Sequence, residues 1–129
     1  MDIVIDTNIL VNALKSSKDD SKAAMLLEDV FWGVHRVYYS DLILNEYEEV
    51  LRRPHLKIAR EDIEEVLGLI IEFGIKIDPK STTQKEVEMR DEDDRIFFDV
   101  AKCANARLVT RNYKDYPVHE LVTLIDEIY

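Results

Sequence analysis

The sequence predicts an α/β fold in which a mainly parallel sheet is covered by helices, and three observations carry that reading. Ile3-Val4-Ile5 is a continuous β-branched run, the pattern of a strand buried on both faces. Further short apolar runs alternate with stretches of helical periodicity, an order that needs crossover connections between parallel strands. Glycine and proline are scarce, three of each, so connections are short and helices dominate. A chain of 129 residues suits one domain, 1–129, with a real core.

Each element follows from its residues. The first strand runs through Ile5 and gives way to a helical stretch over 9–14. Asp19 or Asp20 caps a second helix carrying Ala23, Ala24, Leu26, Leu27 and Val30. Arg36-Val37-Tyr38-Tyr39 reads as a short strand. Ser40 or Asp41 caps a third helix whose apolar set is Leu42, Ile43, Leu44, Tyr47, Val50 and Leu51, ended near Pro54. Ile63, Val66, Leu67, Ile70 and Ile71 mark an amphipathic helix over 61–73 that Gly74 stops. Ile75-Lys76-Ile77 is a brief strand and 79–88 a polar connection. A helix over 92–105 precedes the strand Arg107-Leu108-Val109-Thr110, and Val122-Thr123-Leu124-Ile125 supplies the last strand.

Composition narrows the function. Cys103 is the only cysteine, which rules out an internal disulfide, and no Cys/His spacing suggests a zinc site. No apolar run has membrane-spanning length and no basic stretch leads into an apolar one, so we expect a cytoplasmic protein. The formal charge of −10 repels nucleic acid at long range. A nucleic-acid partner therefore requires divalent cations to neutralise acids where the phosphate approaches.

Four acidic positions are candidates for holding such cations. Asp6 stands where the first strand ends, the edge of an open α/β sheet at which ligands bind; it or Asn8 equally suits a helix cap. Glu46 lies among apolar neighbours at helical spacing and also within reach of Arg53. Asp91, Glu92, Asp93 and Asp94 open a helix, where acids favour the dipole and Asp91 with Asp94 resembles a capping box. Helical alignment with Ile96, Phe97 and Val100 turns Asp93 squarely inward, while Asp94 shares a flank with Phe97, Phe98 and Ala101. Beyond Thr110 come Arg111, Asn112 and Asp115, repeating the strand-end arrangement at Asp6. In a parallel sheet these strand ends open on one edge, and carboxylate oxygens are the ligands that Mg²⁺ and Mn²⁺ prefer.

The chain resembles the PIN-domain family, and in particular its stand-alone, VapC-like prokaryotic toxins. The matching segments are Ile3-Val4-Ile5-Asp6-Thr7-Asn8-Ile9-Leu10-Val11 and Ser40-(five residues)-Glu46-Tyr47. They continue with Asp91-Glu92-Asp93-Asp94-(two residues)-Phe97-Phe98-(two residues)-Ala101, then Leu108 to Pro117, in family order. The resemblance implies a three-layer α/β/α sandwich and a metal-dependent endoribonuclease using one or two Mg²⁺ or Mn²⁺ ions. It places Asp6, Glu46 and Asp94 on the acidic positions, with Asn8 supporting and Asp94 preferred over Asp93 by its spacing. The family's fourth acid often directly follows the strand's Thr-X pair. Here Asn112 stands there, and Asp115 takes its place as fourth catalytic and metal-binding residue. The resemblance also implies an RNA substrate, a small antitoxin and a homodimer.

Positioning RNA needs positive charge. Arg111 is the candidate phosphate contact, or an ion pair restraining the acids. The basic stretch Arg52-Arg53-Pro54-His55-Leu56-Lys57 with Arg60 reads first as a solvated helix end. Phe31, Trp32, Tyr38 and Tyr39 suit either a subunit interface or the core. The alternative to a nuclease is a PIN-like scaffold without catalysis, which Asn112 favours. Clustered acids with nothing to offset them argue against it. Phosphatases of the haloacid dehalogenase type need a second Asp two residues after the first, where Asn8 stands. A receiver domain needs paired acids after its first strand, which are missing here.

Overall fold

A computed structural model describes residues 1–15 and 21–129. The strands are β1 (Asp2–Ile5), β2 (Arg36–Tyr39), β3 (Ile75–Lys76), β4 (Arg107–Thr110) and β5 (Val122–Leu124). They form one parallel sheet in the order β3-β2-β1-β4-β5. The helices are α1 (Thr7–Lys15), α2 (Lys22–Phe31), α3 (Asp41–Leu51), α4 (Arg60–Phe73) and α5 (Arg95–Ala104). They cover the sheet as an α/β/α sandwich, α5 lying on β1, β2 and β4. Among the described residues, no helix is long and apolar enough to cross a membrane.

The sheet order places a crevice. From β1 the chain steps outward to β2 and β3, then returns to the other side of β1 for β4 and β5. The carboxyl ends of β1 and β4 thus form the switch point at which open α/β sheets bind ligands. Register fixes it: Ile5 pairs with Val109, and the Asp6 amide donates to the Val109 carbonyl at 3.0 Å. Ile3, Val4 and Ile5 are fully buried, as a central strand covered on both faces demands. Phe97, Phe98, Val100 and Ala101 of α5 bury in the same core.

Local chemistry accounts for the element ends. Ser40, rather than Asp41, caps α3: its Oγ accepts from the Ile43 amide at 3.2 Å. Helix α1 begins two residues earlier than its apolar pattern, because the Asp6 carbonyl already accepts from the Ile9 amide. The expected caps Asp19 and Asp20 lie outside the described residues. Gly74 does end α4, though in an extended conformation (φ −86°) and not the left-handed one of a glycine cap. Glycine is needed there for close approach. A Cβ would lie 2.3 Å from the Ile70 carbonyl oxygen and 3.0 Å from the Tyr39 ring.

The largest local difference from expectation is at α5. Glu92–Asp94 form a tighter 3-10 turn, with Asp91 as its cap accepting from the Asp93 amide at 3.0 Å. The tighter winding breaks the helical alignment of Asp93 with Ile96 and Val100. Asp93 is exposed, and Asp94 is the half-buried acid. Ile125 belongs to a 3-10 turn after β5 and not to the strand. Tyr39 is buried and Tyr38 packs on the core, whereas Phe31 and Trp32 are exposed.

Candidate active site

Asp6 is buried at the end of β1, only 6% exposed, and two side chains hold it. The Thr110 hydroxyl donates to Asp6 Oδ2 at 2.8 Å from the end of β4. The Asn8 amide donates to the same oxygen and to Thr110 Oγ1, each at 3.3 Å. Asn8 Oδ1 accepts from the Arg111 amide at 3.3 Å, and the Asn112 amide donates to Thr110 Oγ1 at 3.2 Å. Thus Asn8 and Thr110 pin the two strand ends together around the carboxylate. Burial raises the Asp6 pKa above the usual carboxylate range, while Thr110, Tyr116 and the Thr7 amide act to lower it. Asp6 is both the residue before α1 and the anchor of the crevice, so the capping and the site readings are compatible.

Two buried tyrosines frame it. Tyr47 of α3 donates its hydroxyl to the Ile5 carbonyl, bracing the last residue of β1. The Tyr116 hydroxyl lies against the Asp6 carboxyl but makes no hydrogen bond of good geometry. Burial and the Asp6 charge raise both phenols, so both remain neutral donors.

Asp94 completes the centre. Its pKa is pushed up to about 7, first by burial and then by Asp6, Asp91, Asp115 and Glu46 in turn. The charges that raise it are all those of other acids. Asp115 is exposed, in the 3-10 turn Tyr113–Asp115, and also acts on Asp6. Glu46 is half-buried at the outer rim, on the border between the buried Ile43 and Tyr47 and exposed Leu42. Burial raises its pKa, then Glu49; Arg53 acts in the opposite direction, and Asp93 and Asp91 raise it slightly further.

Of the expected residues, Asp6 and Asn8 meet Thr110 at the β1–β4 edge, Asp94 and Glu46 are half-buried, and Asp91, Asp93 and Asp115 are exposed. Arg111 is exposed and makes no ion pair among the described residues. Asn112 spends its side chain locally, accepting from the Lys114 amide at 3.1 Å. Sequence reading underrated Thr110, Tyr47 and Tyr116. A tyrosine inside an apolar stripe is the available signal, since a buried hydroxyl needs a partner.

The donor set suits a hard divalent cation. It is all oxygen and acidic, and among the described residues the Tyr116 hydroxyl has no partner. Among the described residues no three His, Cys, Asp or Glu side chains are already gathered tightly enough to hold an ion.

Residues 2–114 match the family model of the PIN domain. The chain belongs to the PIN-domain family. Its fold is similar to a chain of the crystal structure of VapBC2 from Rickettsia felis bound to a DNA fragment from their promoter. That match has a TM-score of 0.65 and 21% identity over 96% of this chain and 97% of the other. No curated protein sequence matches the chain. The five-stranded parallel sandwich expected of a PIN domain is thus the fold observed.

Proposed function

We propose that this PIN domain is a metal-dependent endoribonuclease, the toxin of a toxin–antitoxin pair. The single observation that carries the proposal is Asp94 beside Asp6. A buried and a half-buried carboxylate act on each other with further acids around them, and among the described residues neither makes an ion pair. Such a cluster destabilises a fold unless something binds there. Asp6 and Asp94, with Glu46 and Asp115, would hold one or two Mg²⁺ or Mn²⁺ ions. A bound ion lowers the pKa of water and stabilises charge on the attacked phosphate. Asn8, Thr110 and Tyr47 keep Asp6 oriented, and the Tyr116 hydroxyl supplies a further neutral donor in the crevice. The reaction adds water across a phosphodiester, breaking one P–O ester bond and leaving a phosphomonoester and a free hydroxyl.

The VapBC2 likeness supports a small antitoxin as partner. A groove of about 590 Å³ between α2 and α4 has an apolar floor of Leu14, Leu27, Val66 and Leu69 and an acidic rim of Glu28, Asp62, Glu65 and Glu72. It suits an amphipathic segment flanked by basic residues. We also propose a homodimer, for which the exposed Phe31 and Trp32 are available.

The test is cleavage of a structured RNA with and without Mg²⁺ or Mn²⁺. Wild type should cleave only with the ion, and Asp6→Asn should lose about 10³-fold or more of that activity with an unchanged circular dichroism spectrum. Full metal-dependent cleavage by Asp6→Asn would remove the proposal. A scaffold without catalysis is the second reading; Asn112, engaged with Lys114 where the family often has an acid, favours it.

A further inference from the structure

The nine residues 52–60 hold four of the chain's 17 Lys and Arg residues and none of its 27 Asp and Glu residues. On a chain of net charge −10 this is a marked local reversal of sign. The segment joins α3 to α4 through the 3-10 turn Pro54–Leu56. Arg52, Arg53, Lys57 and Arg60 line one open depression of about 250 Å³ whose floor includes Pro54 and Ile58. A fifth cation, Lys15 of α1, donates to the Leu56 carbonyl at 2.9 Å and so fastens the turn to the helix that follows Asp6.

Helix chemistry explains only half of this charge. Arg52 and Arg53 follow the end of α3, where cations favour the dipole, and pair with Glu48 at 3.3 Å and Glu49 at 3.8 Å. Arg60 is the first residue of α4, facing the unfavourable positive end, and its contact with Glu64 at 3.0 Å is an exposed pair of small worth. Lys57 holds a left-handed backbone (φ 54°), a conformation that asparagine or glycine adopts more readily, and makes no ion pair among the described residues. Cations kept where the fold gains nothing from them indicate a ligand. Arg53 lies two residues beyond the end of α3, the helix that carries Glu46, so the depression continues directly from that helix.

We propose that residues 52–60 form a phosphate-binding track that delivers the RNA backbone to the acidic crevice. It rests on the nuclease reading above and adds where the substrate lies. Cations on one depression neutralise successive phosphates, and the apolar floor takes a ribose or base face. This answers the charge paradox beyond the crevice: the net charge repels RNA, and a single basic strip selects the side of approach.

The experiment uses Lys57→Glu/Arg60→Glu and its milder form Lys57→Gln/Arg60→Gln. Binding of a fluorescein-labelled RNA stem-loop is read by anisotropy in EDTA, where cleavage does not intervene, across a range of salt. The Glu pair should weaken binding about tenfold and the Gln pair less. For both, the salt slope should fall by roughly 0.7 per lost phosphate contact. With metal present, KM for the RNA should rise while kcat holds. Charge reversal at Lys22, whose ammonium engages Asp126 at 2.7 Å, should leave binding unchanged. Unaltered RNA affinity and salt slope in both pairs would overturn the track even if wild type cleaves RNA. Loss confined to a duplex DNA probe would overturn it too, assigning the strip to DNA. Lower RNA binding by the variants alongside a wild type that never cleaves would retain the phosphate site and reject the nuclease reading.

Discussion

At the start of α5 the Arg95 guanidinium is buried and surrounded by acceptors, while one residue earlier the charges that raise Asp94 are all those of other acids. Arg95 grips Glu92 through two bonds, Nε to Oε2 at 2.7 Å and Nη2 to Oε1 at 2.8 Å. It also reaches Thr82 Oγ1 at 2.9 Å, Gln84 Oε1 at 2.6 Å and the carbonyls of Thr83 and Val87. Asp99, one turn on, accepts from the Thr82 amide at 2.9 Å and hydroxyl at 2.6 Å. That network ties the polar connection before α5 to the helix, with charge opposed by charge. Next to it in sequence, Asp94 makes no ion pair among the described residues, and neither do Asp6 and Asp115. A buried charged cluster that is satisfied holds the structure, whereas one left unbalanced awaits a ligand.

Breaking the balanced cluster should therefore cost the most stability. Arg95→Ala leaves Thr82, Gln84 and the carbonyls of Thr83 and Val87 with fewer partners and removes the cation that acts on Asp99, and we expect a loss of about 3–5 kcal/mol. Urea unfolding checks it; a loss below about 1 kcal/mol would mean that the network is no firmer than a surface pair. Tyr47→Phe removes the donor to the Ile5 carbonyl, leaving a buried acceptor bare, at about 1–3 kcal/mol by the same measurement.

In the crevice the sign reverses. Asp94 binds its proton more tightly folded than unfolded, so the metal-free protein loses stability as pH rises from about 4 to about 7. Asp94→Asn removes that dependence. Metal-free, near pH 8, it should be more stable than wild type by on the order of 1 kcal/mol, discounted for partial exposure. Thermal melts in EDTA at both ends of this range report it. A variant that melts lower than wild type near pH 8 would show that Asp94 supports the fold as Arg95 does.

The contrast also explains what could be read from the sequence. Ile3-Val4-Ile5 and Leu108-Val109-Thr110 announce central strands because continuous β-branched and apolar runs fit a sheet covered on both faces. Asp6 was legible for the same reason, as the acid on which such a strand stops. Asp93 misled because a 3-10 turn shifts side chains away from α-helical spacing, and nothing in Asp91-Glu92-Asp93-Asp94 signals the tighter winding. The Arg95 network was hidden because its partners lie up to 13 residues away in a connection without periodicity. Thr110 and Tyr116 reach Asp6 only through tertiary packing across the sheet. The basic strip was visible as composition, but its shared depression needed three dimensions.

The most direct test of the central claim is calorimetric titration of Mn²⁺ into wild type and Asp94→Asn at the same pH. The account predicts binding of one or two ions by wild type and loss of that binding in the variant. Equal Mn²⁺ binding by both proteins, or none by wild type, would contradict it.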